Sequence, residues 1–337
     1  MKKRLAICDR DERYRQSMQS YLMKRLTGFE ILAFTSLYEA AEYSKKQAFA
    51  ICLISESFYE KGLANIQALQ VFILKEDGKA DIAEYPYLEK YQSMETLIHE
   101  FLNEYAEHSL MDIPIYRCAR AARVHTFYSP VASQEQTKAA FALGQVLSEK
   151  NHKVLYLNLH AFVGCRELFM ETFDSRADIT DLLYVVGRKE PNFSYRIQSI
   201  KQRLGGVDYF APAEDCMDLL PVTQAEWQTL MERLQEMGEY TDIILDLSEI
   251  CQGLYYFLQN SDCIYSICAR TREEQLAMEQ YKVVMEKREI SFVLKKTKWI
   301  ELSQEWLGRV GNLEQLTMTP LGEYMKGLIE KDGNRPI

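Results

Sequence analysis

The feature that most constrains this chain is a series of short, nearly continuous apolar runs, each separated from the next by a stretch with helical spacing. In the first third they are KRLAIC (3–8), FEILAF (29–34), FAICLIS (49–55) and LQVFIL (69–74). Later come VHTFYS (124–129), KVLYLNL (153–159), VDYFAP (207–212), TDIILDL (241–247), DCIYSIC (262–268) and ISFVLK (290–295). A strand that is apolar at consecutive positions is buried on both faces, and that happens where helices cover both sides of a parallel sheet. Helices are expected at 11–26, 36–46, 93–107, 134–149, within 165–204, and at 224–237, 249–260 and 272–288. A weaker helix is expected near 59–68 and a short strand near 85–88. Ser36/Glu39, Thr223/Glu226 and Thr271/Glu274 have capping-box spacing, and Thr319-Pro320 places proline in the first turn of a last short helix.

The alternation breaks between His108 and Arg123, where SLMDIPIYRCARAAR has a proline and no period. The expected architecture is therefore α/β with two doubly wound parallel-sheet domains: 1–108, a linker at 109–122, and 123–337. A chain of 337 residues can bury a core in each.

The formal charge of -9 and the scattered Lys and Arg exclude a dedicated nucleic-acid binder, which gains affinity by neutralising phosphates with clustered cations. No apolar run approaches the roughly 18 residues needed to cross a bilayer, and Leu5, Ala6 and Ile7 stop at Asp9, too short for a signal peptide. The eight cysteines include no C-x-x-C pair, so they read as buried free thiols of a cytoplasmic protein. His160 has no second His, Cys or Asp at ligand spacing and reads as a polar strand end; no metal is expected.

Open parallel sheets carry their functional groups at the carboxyl ends of the strands. In the first domain Asp9 and Asp11 follow strand one, Ser55 ends strand three, Lys75 ends strand four, and Lys90 follows strand five. This pattern resembles the response-regulator receiver (CheY-like) family over about 105 residues, with Asp9/Asp11 at the acidic pair and Lys90 at the family's lysine. Receiver phosphotransfer needs a carboxylate nucleophile where this chain has Ser55, and a hydroxyl where it has Lys75. The resemblance thus implies a receiver fold without its phosphoacceptor. Asp9, Asp11 and Lys90 read as a surface acidic turn paired with a lysine, worth on the order of 0 to 1 kcal/mol if exposed, with a residual metal or anion site as the alternative.

In the second domain the order strand, SPVASQEQTK, apolar helix, KVLYLNLH resembles the ParA/MinD group of deviant P-loop (SIMIBI) ATPases over about 124–330, and YTDIILDLSE lies at that group's Walker B strand. Against the group's Lys-Gly-Gly-x-Gly-Lys-Thr-Thr the chain has Val131, Ala132, Ser133, Gln134, Glu135, Gln136, Thr137 and Lys138. The signature lysine becomes Val131 and the phosphate-binding lysine becomes Gln136, while Thr137 and Asp246 are retained. Asn158 and His160 stand where the group carries aspartates. A phosphate cradle turns successive N–H groups inward, which glycine does cheaply and Ala132, Ser133 and Glu135 do not. Glu135 adds a carboxylate where a phosphate would sit, against a like-charge repulsion of several kcal/mol in a poorly solvated cleft. The same residues suit a helix start: Ser133 and Gln136 have capping-box spacing, Glu135 favours the helix dipole, and Asp246 can bond to the start of the 134–149 helix.

A degenerate receiver followed by a ParA/MinD-like domain is the arrangement of the TadZ/CpaE family of pilus-localisation factors. That resemblance implies a cytoplasmic homodimer that marks a cell pole or assembly site and recruits Tad/Flp pilus or secretion machinery, including a secretion ATPase. No catalytic residue, cofactor, nucleic acid or stable membrane insertion is expected. The alternative is an ATP/Mg-dependent dimerisation switch of the ParA/MinD type, serving partitioning or positioning.

Overall fold

A computed structural model describes residues 3–26, 28–61, 65–76, 85–108, 121–131, 134–160, 177–187, 193–249, 251–303, 306 and 313–333. The chain divides into two compact units, Met1–Arg117 with Pro191–Ser199, and Cys118–Glu190 with Ile200–Ile337. The expected linker 109–122 lies almost wholly outside the described residues. The segment 191–199, expected within the second domain, groups with the first.

The first unit alternates β1 (Lys3–Cys8), α1 (Glu12–Arg25), β2 (Phe29–Phe34), α2 (Leu37–Lys46), β3 (Phe49–Ser55), β4 (Ala68–Lys75), β5 (Tyr87–Glu89) and α3 (Met94–His108). Its sheet is parallel throughout, in the order β2-β1-β3-β4-β5, so the connections reverse direction between β1 and β3. Successive side chains of a strand point to opposite faces. Accordingly Leu5 and Ile7 join Met18, Leu22 and Phe101 in one core layer, while Ala6 and Cys8 join Leu37, Ala40 and Phe58 in the other. Tyr195, from the returning segment, completes the first layer: its ring lies 5.2 Å from that of Tyr105 and 6.3 Å from that of Phe29.

The second unit contains β6 (Arg123–Phe127), α4 (Gln134–Glu149), β7 (Val154–Leu159), α5 (Ile179–Gly187), β8 (Gln202–Leu204), β9 (Val207–Tyr209) and β10 (Asp242–Leu247); α6 (Phe193–Ile200), which belongs to the first unit as far as Ser199, precedes β8 in the chain, and α7 (Gln224–Met237) precedes β10. Then come α8 (Leu254–Asn260), β11 (Cys263–Ile267), α9 (Arg272–Lys287), α10 (Phe292–Lys295), β12 (Thr297–Ile300) and α11 (Pro320–Gly333). The seven strands run β12-β11-β6-β10-β7-β9-β8, parallel except for the β8–β9 hairpin. That hairpin turns at Gly205 and Gly206, whose φ of +53° and +86° are cheap only for glycine. Helix α4 is buried over Ala139–Leu147 between the sheet and α11, and Leu321 and Met325 of α11 are in the same core. The last helix thus packs on its own unit, as its apolar spacing predicts.

Two local expectations change. ISFVLK is not a strand: it ends in the short helix α10, whose buried residue is Val293, with Ile290 buried just before it, and the edge strand follows at β12. Within 165–204 the expected helices are α5 and α6, and the stretch ends in β8; residues 165–176 and 188–192 lie outside the described residues. Ser36 caps α2 through Tyr38 N alone, whereas Thr223/Glu226 and Thr271/Glu274 form complete reciprocal boxes. Among the described residues, no helix is long and apolar enough to cross a membrane. The described cysteines are free, and all but Cys268 are buried.

Candidate functional site

In the second unit the register sets Asp246 of β10 beside Asn158 of β7 on one side and Phe127 of β6 on the other, at the carboxyl end of the sheet. Asp246 is 0% exposed and its carboxylate is met by five donors. The Gln136 amide nitrogen (2.7 Å) and His160 Nε2 (2.8 Å) reach Oδ1; Thr137 Oγ1 (2.7 Å), Tyr156 OH (2.7 Å) and Asn158 Nδ2 (3.3 Å) reach Oδ2. The Gln136 nitrogen also donates to the carbonyls of Leu247 (3.0 Å) and Phe127 (3.3 Å), which ties the first turn of α4 to β6 and β10.

Burial alone would raise the Asp246 pKa. The charge of His160 and the donated hydrogen bonds outweigh it, and the carboxyl titrates below its ordinary range. Burial alone would likewise lower His160, but the charge of Asp246 and its hydrogen bond raise it. The site is therefore a buried carboxylate that favours the protonated form of its partner His160, whose ring is 19% exposed. It is the cluster's group nearest to solvent.

Of the other sequence-predicted residues, Ser133 lies outside the described residues, and with it half of the expected capping box. Val131 is half-buried and its N–H donates to Ser129 Oγ (3.3 Å). Glu135, in the first turn of α4, is held by both guanidinium nitrogens of Arg270 (3.1 and 2.6 Å), and Arg270 also donates to Leu302 O. Lys138 is half-buried on α4. Sequence reasoning missed Tyr156 and Arg270. Tyr156 had a signal, since Tyr156, Asn158 and His160 are two apart and share one face of β7; Arg270 had none.

In the first unit the β1/β3 reversal point gathers Asp9, Ser55 and Lys90, and adds Glu76. Lys90 Nζ lies 2.9 Å from Asp9 Oδ2 and 2.6 Å from Glu76 Oε1, which also accepts from Ser55 Oγ (3.2 Å). The expected surface turn is instead largely interior: Asp9 is 1% and Lys90 2% exposed, because the lysine reaches back under the Tyr14 ring, whose hydroxyl donates to Lys90 O (2.7 Å). Burial would lower the lysine pKa, but the hydrogen bonds to Glu76 and Asp9 overcome it and raise the value. Asp11 is the exposed member and caps α1 through Arg13 N and Tyr14 N. Lys75 does not join the cluster, since its Nζ sits over the Tyr87 ring at 4.8 Å. Glu76, one residue further on, takes the place sequence reasoning gave to Lys75. Among the described residues no group of three or more His, Cys, Asp or Glu side chains could hold a metal ion.

No protein-family model matches the chain, and no curated protein matches it. Solved structures do. A ParA family ATPase from Chlorobium tepidum TLS is 13% identical and superposes with a TM-score of 0.50 over 61% of this chain and 97% of its own. A plasmid partition protein from Borrelia burgdorferi (13%, TM-score 0.46) covers 63% of this chain and 100% of its own. The MinD cell division protein of Aquifex aeolicus (15%, TM-score 0.43) covers 64% and 99%. At such identities the likeness is one of fold: the chain carries a parallel-sheet α/β fold similar to that of the ParA family ATPase.

Proposed function

We propose that this chain is a binding scaffold or localisation factor built on a ParA/MinD-type domain that no longer hydrolyses nucleotide, preceded by a receiver-like unit without phosphotransfer. The observation that carries the reading is the Asp246 carboxylate, whose two oxygens are already taken by five protein donors. A magnesium ion would have to displace them. Gln136 stands where the cation for the phosphates would be needed, and Glu135 sets a second carboxylate at the same helix start. These residues do not fit a magnesium triphosphate, because phosphoryl transfer needs metal and cationic charge on the transferring group. In the first unit, Ser55 offers no carboxylate to phosphorylate, and Lys90 is held by Asp9 and Glu76.

The arrangement of the two units supports a role like that of TadZ/CpaE: a cytoplasmic homodimer that recruits pilus or secretion assembly proteins, among them a secretion ATPase, at a cell pole or assembly site. The second reading is an ATP-dependent dimerisation switch, favoured by one observation, the Thr137 hydroxyl on Asp246. Calorimetric titration of the full chain with Mg-ATP separates them. The scaffold reading expects no binding tighter than about 100 µM, or about -5.5 kcal/mol. Tighter binding overturns it in favour of the switch.

A further inference from the structure

At the end of the second sheet opposite Asp246, α7 and α8 leave a groove of about 320 Å³. It lies beside Val124, at the start of β6, and runs to Asn260, just before β11. Its floor is apolar, formed by the buried side chains of Val124, Met231 and Phe257. One end is fixed by Gln235, whose amide accepts from Ala122 N (2.6 Å) and donates to Ala122 O (2.9 Å). At this volume, near the bottom of the roughly 300–1,000 Å³ range of ligand pockets, the groove fits one or two side chains better than a cofactor.

Its wall is charged. Glu232 and Glu236, both exposed, are four apart on α7 and so project from the same face one turn apart. Among the described residues, Glu232 accepts one hydrogen bond, from Gln228 (2.8 Å), and neither carboxylate has an ion-pair partner. On the facing helix, burial and the charge of Glu232 raise the pKa of Tyr256, so the negative field reaches across the groove.

We infer that this groove is a docking site for a basic amphipathic helix of a partner protein, with two cationic side chains one turn apart meeting Glu232 and Glu236 and an aliphatic side chain between them filling the floor. Charge complementarity selects this occupant, and a helix laid in a groove is a common way to read such anchors. The inference does not depend on whether the Asp246 end takes a nucleotide.

The test uses the full chain and a fluorescein-labelled helical peptide carrying Arg at two positions four apart with Leu between them. A charge-reversed peptide, with Glu in place of Arg, serves as its counterpart. By fluorescence anisotropy the Arg peptide should bind the native chain, and its Kd should rise with salt between about 50 and about 300 mM as screening increases. The E232K/E236K variant should bind the Arg peptide about tenfold or more weakly and gain affinity for the Glu peptide, a swap that a merely structural effect would not produce. Absence of Arg-peptide binding to the native chain, or equal Kd values for the native chain and the variant, overturns the proposal. Mg-ATP binding measured on the same sample bears on the scaffold reading alone.

Discussion

Replacing Asp246 by alanine asks whether its carboxylate holds the carboxyl ends of β6, β7 and β10 together. Two of its five donors are buried hydroxyls, those of Thr137 and Tyr156, 3% and 0% exposed, and each donates to Oδ2 at 2.7 Å. The Gln136 amide keeps the carbonyls of Phe127 and Leu247, Asn158 keeps the Tyr156 oxygen, and His160 can turn to water. At about 1–3 kcal/mol for each buried hydroxyl that loses this carboxylate acceptor, Asp246→Ala should cost about 4 kcal/mol. Asp246→Asn keeps an oxygen for Thr137 and Tyr156 and presents its amide to His160, which accepts when neutral, so it should cost about half as much. All three tryptophans, Trp227, Trp299 and Trp306, lie in the second unit, so their fluorescence during urea unfolding reports on that unit. The midpoints should fall in the order native, Asn, Ala. His160 is raised above its ordinary 6.5, so its contribution is complete below that value and is lost as pH rises through the folded pKa. Asp246 is lowered below 3.8, so its contribution is present above that value and is lost as pH falls through the folded pKa. The alanine penalty should therefore be greatest in mildly acidic solution and smaller once the pH has risen through the folded pKa of His160. An alanine variant within about 1 kcal/mol of the native chain at every pH refutes the reasoning.

Two further outcomes follow from buried charge. Lys90→Met should destabilise the first unit by about 3–5 kcal/mol in urea unfolding followed by circular dichroism, since Asp9 is left buried without its cation; adding Asp9→Asn should recover part of that loss. Asp242, bonded to His125 Nε2 (2.9 Å) and His152 Nδ1 (2.6 Å), has its pKa lowered to about 2: burial opposes the shift and the histidine bonds win. Its stabilisation, about 2.5 kcal/mol, is present above 3.8 and lost as pH falls toward about 2, so Asp242→Asn should flatten the acid limb of the second unit's stability curve.

Most of the strand framework was legible because a strand buried on both faces must be apolar at consecutive positions. FAICLIS and TDIILDL gave β3 and β10 almost to the residue. Helix starts were legible where a reciprocal cap was available, at Thr223 and Thr271, and less so at Ser36, where only half the pattern forms. ISFVLK misled because an apolar run of that length suits a strand or one buried turn of helix, and only packing decides. In the site, Asn158, His160 and Asp246 were legible at strand ends and Gln136 and Thr137 at the start of the helix that follows β6, and the structure brings all five together. Tyr156 was hidden by reading it as another apolar strand residue, although its spacing from Asn158 puts both on one face. Glu76 was hidden by a one-residue shift at the end of β4. Arg270 reaches Glu135 from 135 positions away, a contact no local pattern announces.

The grouping of 191–199 with the first unit bears on how the protein can be taken apart. The polypeptide passes between units three times, at 117/118, 190/191 and 199/200. A cut in the 109–122 region therefore leaves Tyr195 on the wrong fragment, and an isolated 1–117 piece would present the rings of Phe29 and Tyr105 to water where Tyr195 had covered them. Dissection of this chain into halves needs the 191–199 segment supplied to the amino-terminal half, as a fused or added peptide.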